Sequence, residues 1–190
     1  MILSKSDENS IKECVEYLKK GKIVIIPTDT VYGFSGIALP SDEKDTDSKI
    51  KAIKGRDQTK PFIQLIASPQ DLKNYTDDKI PSKLLSYWPG PLTIIVNNKH
   101  TGNTTAFRCP GDAWLRSILK ETGCPIYSTS VNRSGFPILD TQEQIIKEFE
   151  KDVDLIITDG DKKNALPSTI VSICDGQVKV LRQGAVTINL

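Results

Sequence analysis

The segment "IVIIP" at residues 23–27 constrains the fold more than any other stretch of the chain. It is continuously apolar and rich in β-branched residues, so a strand built from it has to be covered on both faces. "LTIIV" at 92–96 and "VDLIIT" at 153–158 add further strand candidates, and "PFIQLIA", "TTAFR" and "PIYSTSV" extend the set. Segments of helical period lie between them. Ile11, Cys14, Val15 and Leu18 recur at helical spacing behind Asn9-Ser10, and Gly21 is a stop. Residues 46–54 turn Ile50 and Ile53 to one side; Asp112 caps "AWLRSILKET" and Gly123 closes it. Thr141 and Gln144 form a capping-box pattern ahead of Ile145, Ile146 and Phe149. "TDTVYGFSG" supplies turn and loop residues, and a polar stretch runs over about 69–83. "STIVSIC" and "VKVLR", joined by Asp175-Gly176-Gln177, close the chain as a hairpin. Helices alternating with strands predict an α/β or α+β fold with a mixed sheet, and 190 residues suit a single domain over 1–190.

Charge then restricts function. Twenty-five basic residues stand against 24 acidic ones, a formal balance of +1, which argues against wholesale binding to nucleic acid or an anionic membrane. Any basic site is therefore local. Cys14, Cys109, Cys124 and Cys174 are far apart, with neither a zinc pattern nor a disulfide framework, which fits a reducing compartment. The start lacks the apolar core of a signal peptide and no run approaches membrane-spanning length, so the expectation is a cytoplasmic protein without membrane contact. The GxxxxGK[ST] and GxGxxG signatures are missing. His100, the single histidine, sits in the polar "NNKHTGN", where solvation is the default, and cannot build a multi-histidine metal site.

The local basic site is sought at "KAIKGRDQTKPF". Lys54 and Arg56 would lie about 200° apart on a continuous helix, so they share a pocket only if the helix ends at Gly55 and Arg56 turns back. Lys60, ahead of Pro61, is pushed toward an extended conformation. The competing reading is that these lysines complement a helix dipole. Arg108 follows "AF" inside a strand, where a guanidinium is costly to bury unless it faces a carboxylate or phosphate; an internal salt bridge is the alternative. Arg182 ends "VKVLR" in the same way. Small hydroxyls cluster too: Thr28 and Thr30 follow the buried strand, and Ser128 and Ser130 fall on one strand face, with Asn132 beyond them if the strand continues. Ser168 in "LPSTI" stands between a ligand contact and a turn cap.

Seven blocks in this order, "IPTDTVYGFSG", "KGRDQTKPF", "WPGPLTIIV", "FRCPGD", "STSVNRSG", "PSTIV" and "LRQGA", resemble the YrdC/TsaC family of threonylcarbamoyl-AMP synthases, over about residues 23–185. The resemblance implies a YrdC-like single domain, a twisted mixed sheet flanked by helices with a concave basic cavity. It implies a nucleotidyltransferase that turns L-threonine, bicarbonate and ATP, with Mg2+, into threonylcarbamoyl-adenylate and pyrophosphate for the t6A modification of tRNA. The product would pass to a threonylcarbamoyl-transferase machinery resembling TsaD, TsaB and TsaE, with tRNA contact an open expectation. Carried over by position, Thr30, Arg108, Ser128 and Ser168 match the threonine site; Arg56, Lys60, Thr104, Ser130 and Arg182 match ATP contacts. Lys54 and Asn132 complete the KxR and SxN pair around the phosphates, with Lys54 and Arg56 as the catalytic pair. Val131, Leu65 and Asp112 depart from residues common in the family. The extra C-terminal domain of longer members has no counterpart up to Leu190. Two other readings remain beside this one: a module binding double-stranded RNA or tRNA, and a paralogue using another carbamoyl acceptor.

Overall fold

The computed structural model describes residues 1–39, 44–56 and 61–188. Its strands are β1 (Ile2–Ser4), β2 (Val24–Ile26), β3 (Gly33–Ile37), β4 (Ile63–Leu65), β5 (Leu92–Asn97), β6 (Thr104–Arg108), β7 (Ile126–Ser130), β8 (Leu155–Thr158), β9 (Thr169–Ser172) and β10 (Lys179–Arg182). Helices are α1 (Ser10–Lys19), α2 (Thr46–Lys54), α3 (Ser82–Leu85), α4 (Ala113–Thr122) and α5 (Gln142–Phe149), with a 3-10 turn at Pro69–Asn74. All ten strands join one mixed sheet in the order β1-β8-β2-β3-β7-β4-β6-β5-β9-β10.

Strand alternation divides the sheet's side chains between two faces. On the first, Val24, Ile26, Ile126, Leu65, Leu155 and Ile157 pack under Cys14, Val15 and Leu18 of α1 and Leu115, Ile118 and Leu119 of α4. On the second, Ile25, Phe34 and Ile156 meet Ile50 of α2 and Ile145 and Phe149 of α5. Farther along that second face, Ile94, Phe107 and Val171 pack against Leu72, Leu84 and Trp88. The β2 strand is fully buried, as its two apolar faces require. The helix ends follow the sequence signals. Gly55 closes α2 in the left-handed conformation at φ 60°, the Asp112 carboxylate accepts from Leu115 N–H, and Thr141 Oγ1 accepts from Gln144 N–H. The closing hairpin forms as antiparallel β9 and β10.

One local expectation is corrected, and two further stretches form elements that the sequence reading left unspecified. The "TDTVYGFSG" stretch is not all loop, because its second half becomes β3, buried throughout and paired with both β2 and β7. Its glycines answer to space: a Cβ at Gly33 would lie 2.9 Å from Ser128 Oγ, and one at Gly36 would lie 2.7 Å from Thr46 Cβ. Propensity argues against such a strand and packing requires it. Stretch 69–83 holds the 3-10 turn, with a capping box at Ser68, and the start of α3. Ile2–Ser4 forms β1, parallel to β8 at the sheet edge. No helix among the described residues is long and apolar enough to cross a membrane.

Candidate active site

Beyond the part covered by α1 and α4, the first sheet face opens into a cavity of about 290 Å³. The same strands line it: β7 contributes Ile126 to the core and then Ser128 and Ser130 to the cavity. Eight of the residues singled out by sequence, Thr28, Thr30, Arg56, Arg108, Ser128, Ser130, Ser168 and Arg182, are among its lining. A wider groove of about 700 Å³ between the 3-10 turn and α4 mixes Arg116 and Lys120 with Asp71 and gathers none of the motif residues.

Arg108 is buried at the end of β6, where it forms the internal salt bridge that was the alternative reading and also lines the cavity. Its Nη2 donates to Asp29 Oδ1 at 2.6 Å, Nη1 to Thr30 Oγ1 at 2.9 Å and Nε to the Gly90 carbonyl at 3.1 Å. Three of its five N–H groups are thereby used, which leaves one on each Nη. Thr28 Oγ1 donates to the Val31 carbonyl and accepts from Thr30 N–H, so the Thr30 hydroxyl donates to Thr28 at 2.9 Å while accepting from Arg108. Burial lowers the Arg108 pKa from its ordinary value, and Asp29 opposes that shift.

Arg182 reaches the cavity from β10. Its Nε and Nη2 donate to the Ser168 carbonyl at 3.1 and 2.8 Å, and Ser168 Oγ shares a buried hydrogen bond of 2.8 Å with Thr93 Oγ1. Desolvation and then the nearby Arg108 guanidinium pull its pKa down, so two like charges are held at one end of the cavity. Arg56, turned back by Gly55 as expected, lies 5.0 Å from the Phe62 ring centroid and donates from Nη2 to the Pro61 carbonyl at 3.3 Å. Its Nε is buried without a hydrogen-bond partner. Among the described residues no aspartate or glutamate lines the cavity, and Arg56 and Arg182 have no ion-pair partner.

Three expected residues stand elsewhere, and a fourth is not among those described. Lys54 is buried behind the wall, and its ammonium donates to the Ser130 carbonyl, to the Asn132 carbonyl at 2.9 Å and to Asn132 Oδ1 at 3.0 Å. Those bonds use its three protons, and the Phe34 ring lies beneath it at 5.3 Å. Burial, then Arg56, brings its pKa to about 7. Asn132 is not part of the lining, because β7 ends at Ser130; its side chain accepts from Ser130 Oγ and donates to the Arg133 and Phe136 carbonyls, fixing the turn. Thr104 is exposed at the far end of β6, away from the cavity. Lys60 lies outside the described residues.

Sequence reading passed over Asp29, whose signal was its place between the two threonines already singled out, directly after the doubly covered strand. His100 is in a surface loop, as expected, with Nε2 2.6 Å from the Asn74 carbonyl. Among the described residues no group of three His, Cys, Asp or Glu side chains is arranged to hold a metal.

Fold and site together define a mixed α/β protein with a hollow that three guanidiniums line and that, among the described residues, no carboxylate lines. Residues 16–184 match the Sua5/YciO/YrdC family, described as "Telomere recombination", and the chain belongs to that family. It is 34% identical to a Methanocaldococcus jannaschii protein provisionally named threonylcarbamoyl-AMP synthase, over 96% of this chain and 91% of the relative. It is 29% identical to the Bacillus subtilis threonylcarbamoyl-AMP synthase, over 96% of this chain and 55% of that protein. The structure of Pyrococcus abyssi Sua5 complexed with L-threonine superposes with a TM-score of 0.86 at 27% identity, covering 97% of this chain and 57% of that one. The chain thus spans nearly all of one relative and little more than half of the other two.

Proposed function

We propose that this chain is a threonylcarbamoyl-AMP synthase, a nucleotidyltransferase that joins L-threonine, bicarbonate and ATP into threonylcarbamoyl-adenylate and releases pyrophosphate. The observation that carries this reading is the convergence of Arg56, Arg108 and Arg182 on one cavity whose lining contains no carboxylate among the described residues. Arg108 is paired with Asp29, but Arg56 and Arg182 are held near it without a countercharge among the described residues, which is costly, and an anionic ligand offsets that cost. The naming of curated relatives as threonylcarbamoyl-AMP synthases, and the threonine complex of Sua5, support the choice of reactants.

In this reading the free N–H groups of Arg108 take the threonine carboxylate, with Thr30, Ser128 and Ser168 offering hydroxyls around it. Arg56, stacked on Phe62, and Arg182 take the polyphosphate, with Ser130 beside them. Threonine's amine adds to bicarbonate with loss of water, and a carbamate oxygen then attacks the α-phosphate as pyrophosphate leaves. Such a reaction needs no enzyme nucleophile, so positioning and charge stabilisation supply the acceleration. Lys54 serves by holding the Ser130–Asn132 turn in place rather than by touching the reactants. The cavity lining offers hydroxyls and no carboxylates to a metal, so Mg2+ belongs to this reading as part of the nucleotide substrate, shielding its phosphates. Handing the product to a threonylcarbamoyl-transferase for tRNA modification follows from the product's chemistry, a mixed anhydride that water destroys.

The test is pyrophosphate release by purified protein given MgATP, bicarbonate and threonine, with each omitted in turn. Release requiring all three supports the reading. Release that ignores threonine, or prefers another amino acid, points to a different acceptor, and salt-sensitive RNA binding without turnover points to an RNA module.

A further inference from the structure

The cavity's three guanidiniums are not equivalent, and Asp29 makes the difference. Asp29 sits just behind the lining, with Oδ1 2.6 Å from Arg108 Nη2, and the two side chains are only 18% and 6% exposed. Arg56 and Arg182 have no such partner among the described residues. The carboxylate is also fixed from its other side. Its Oδ2 accepts the Gly111 N–H at 2.8 Å, and Arg116 Nη1 holds the Pro110 and Gly111 carbonyls at 2.8 Å each. A Cβ at Gly111 would lie 2.9 Å from Asp29 Oδ2, so the turn approaches this closely only because that residue is glycine.

We propose that Asp29 is a specificity-determining residue: by neutralising Arg108 it makes one end of the cavity a neutral pair suited to a zwitterionic amino acid, and so directs the polyphosphate to Arg56 and Arg182. The proposal rests on the functional reading above. An amino acid brings a carboxylate and an ammonium with no net charge, so it gains from two oriented N–H donors without needing a bare cation. A polyphosphate carries several negative charges and is drawn to whichever guanidinium lacks a countercharge. Without Asp29, Arg108 would be a desolvated cation beside Arg182, and that end would become a second phosphate trap. The ion pair therefore sets the direction in which the two reactants lie.

Asp29→Asn keeps the size of the side chain and removes the charge. Calorimetric titration of inorganic phosphate and of threonine, separately, into wild-type protein and D29N tests the claim. The expected result is opposite movement: threonine affinity falls by about tenfold or more while phosphate affinity rises several-fold. Asp29→Glu, which keeps the charge, should keep phosphate affinity near wild type. If D29N does not fold by thermal unfolding, Asp29→Ser, which also removes the charge, gives the same two readouts with the same expected directions. A loss of affinity for both ligands, or unchanged phosphate binding, overturns the proposal. A gain in phosphate affinity with threonine binding absent even in wild-type protein would leave the charge role of Asp29 standing and overturn the threonine reading instead.

Discussion

The closed and open halves of one sheet face differ by very few residues. Under α1 and α4 the strands present Val24, Ile26, Ile126 and Leu65, and the face is sealed by apolar packing. A few residues along the same strands, on the same side, stand Gly33, Ser128, Ser130 and Ile63, and there the face lies open to guanidiniums. On β7 the change takes two residues, from Ile126 to Ser128. Backbone and register are continuous across the boundary, as β3, β7 and β4 pair without a break. What separates core from site is therefore the cover of α1 and α4 on one side and, along β7, the change from an apolar to a small polar side chain, and the two halves should respond to mutation in different currencies, stability on one side and ligand binding on the other.

The largest expected effect lies in the closed half. Leu18→Ala removes a side chain with no exposed surface from α1, and the resulting cavity should cost about 2–5 kcal/mol in urea denaturation. In the open half, Arg56→Ala should leave unfolding nearly unchanged and reduce kcat/KM for pyrophosphate release by about 10²- to 10³-fold. Comparable losses of stability and activity in both variants would break the division. Ser128→Ala should sharpen it: the hydroxyl has no hydrogen-bond partner among the described residues, so stability should stay within about 0.5 kcal/mol while the KM for threonine rises up to about tenfold.

The smallest effect concerns the joint between the halves, where Lys54 pins the end of β7 to the end of α2. Lys54 titrates at about 7 in the fold against 10.5 ordinarily. Below 7 both folded and unfolded states are protonated, and the fold bears the whole cost of a buried ammonium. Between 7 and 10.5 the folded state has shed its proton and the unfolded state has not, so that cost shrinks as pH rises. Wild-type stability should therefore improve relative to Lys54→Met through this window, read as the difference in urea midpoints. A difference that stays flat with pH would mean that the ammonium persists, held by its three oxygen partners.

Much of this arrangement could be read from the chain. The β-branched runs specified the buried strands, and Gly55 was assigned the role it plays, ending α2 so that Arg56 turns into the cavity. Asp112 and Gly123 marked α4 correctly because caps are local chemistry. What escaped depends on distant partners. Gly33–Ile37 has poor strand propensity and becomes β3 because β2 and β7 flank it, with Ser128 of β7 crowding Gly33 and Thr46 of α2 crowding Gly36. Asp29 is one acid among many until the fold sets it against Arg108. Lys54 and Arg56 were expected in one pocket; the turn of the helix end separates them, sending one side chain to the backbone of β7 and the other to the hollow.

The central claim is that uncompensated guanidiniums brought together by the open half of the sheet bind the polyphosphate. Calorimetric titration of MgATP into wild-type protein and into an Arg56→Ala/Arg182→Ala double variant of matched thermal stability tests it most directly. Saturable binding to the wild type that disappears in the double variant is the predicted result; equal affinity in the two proteins would contradict it.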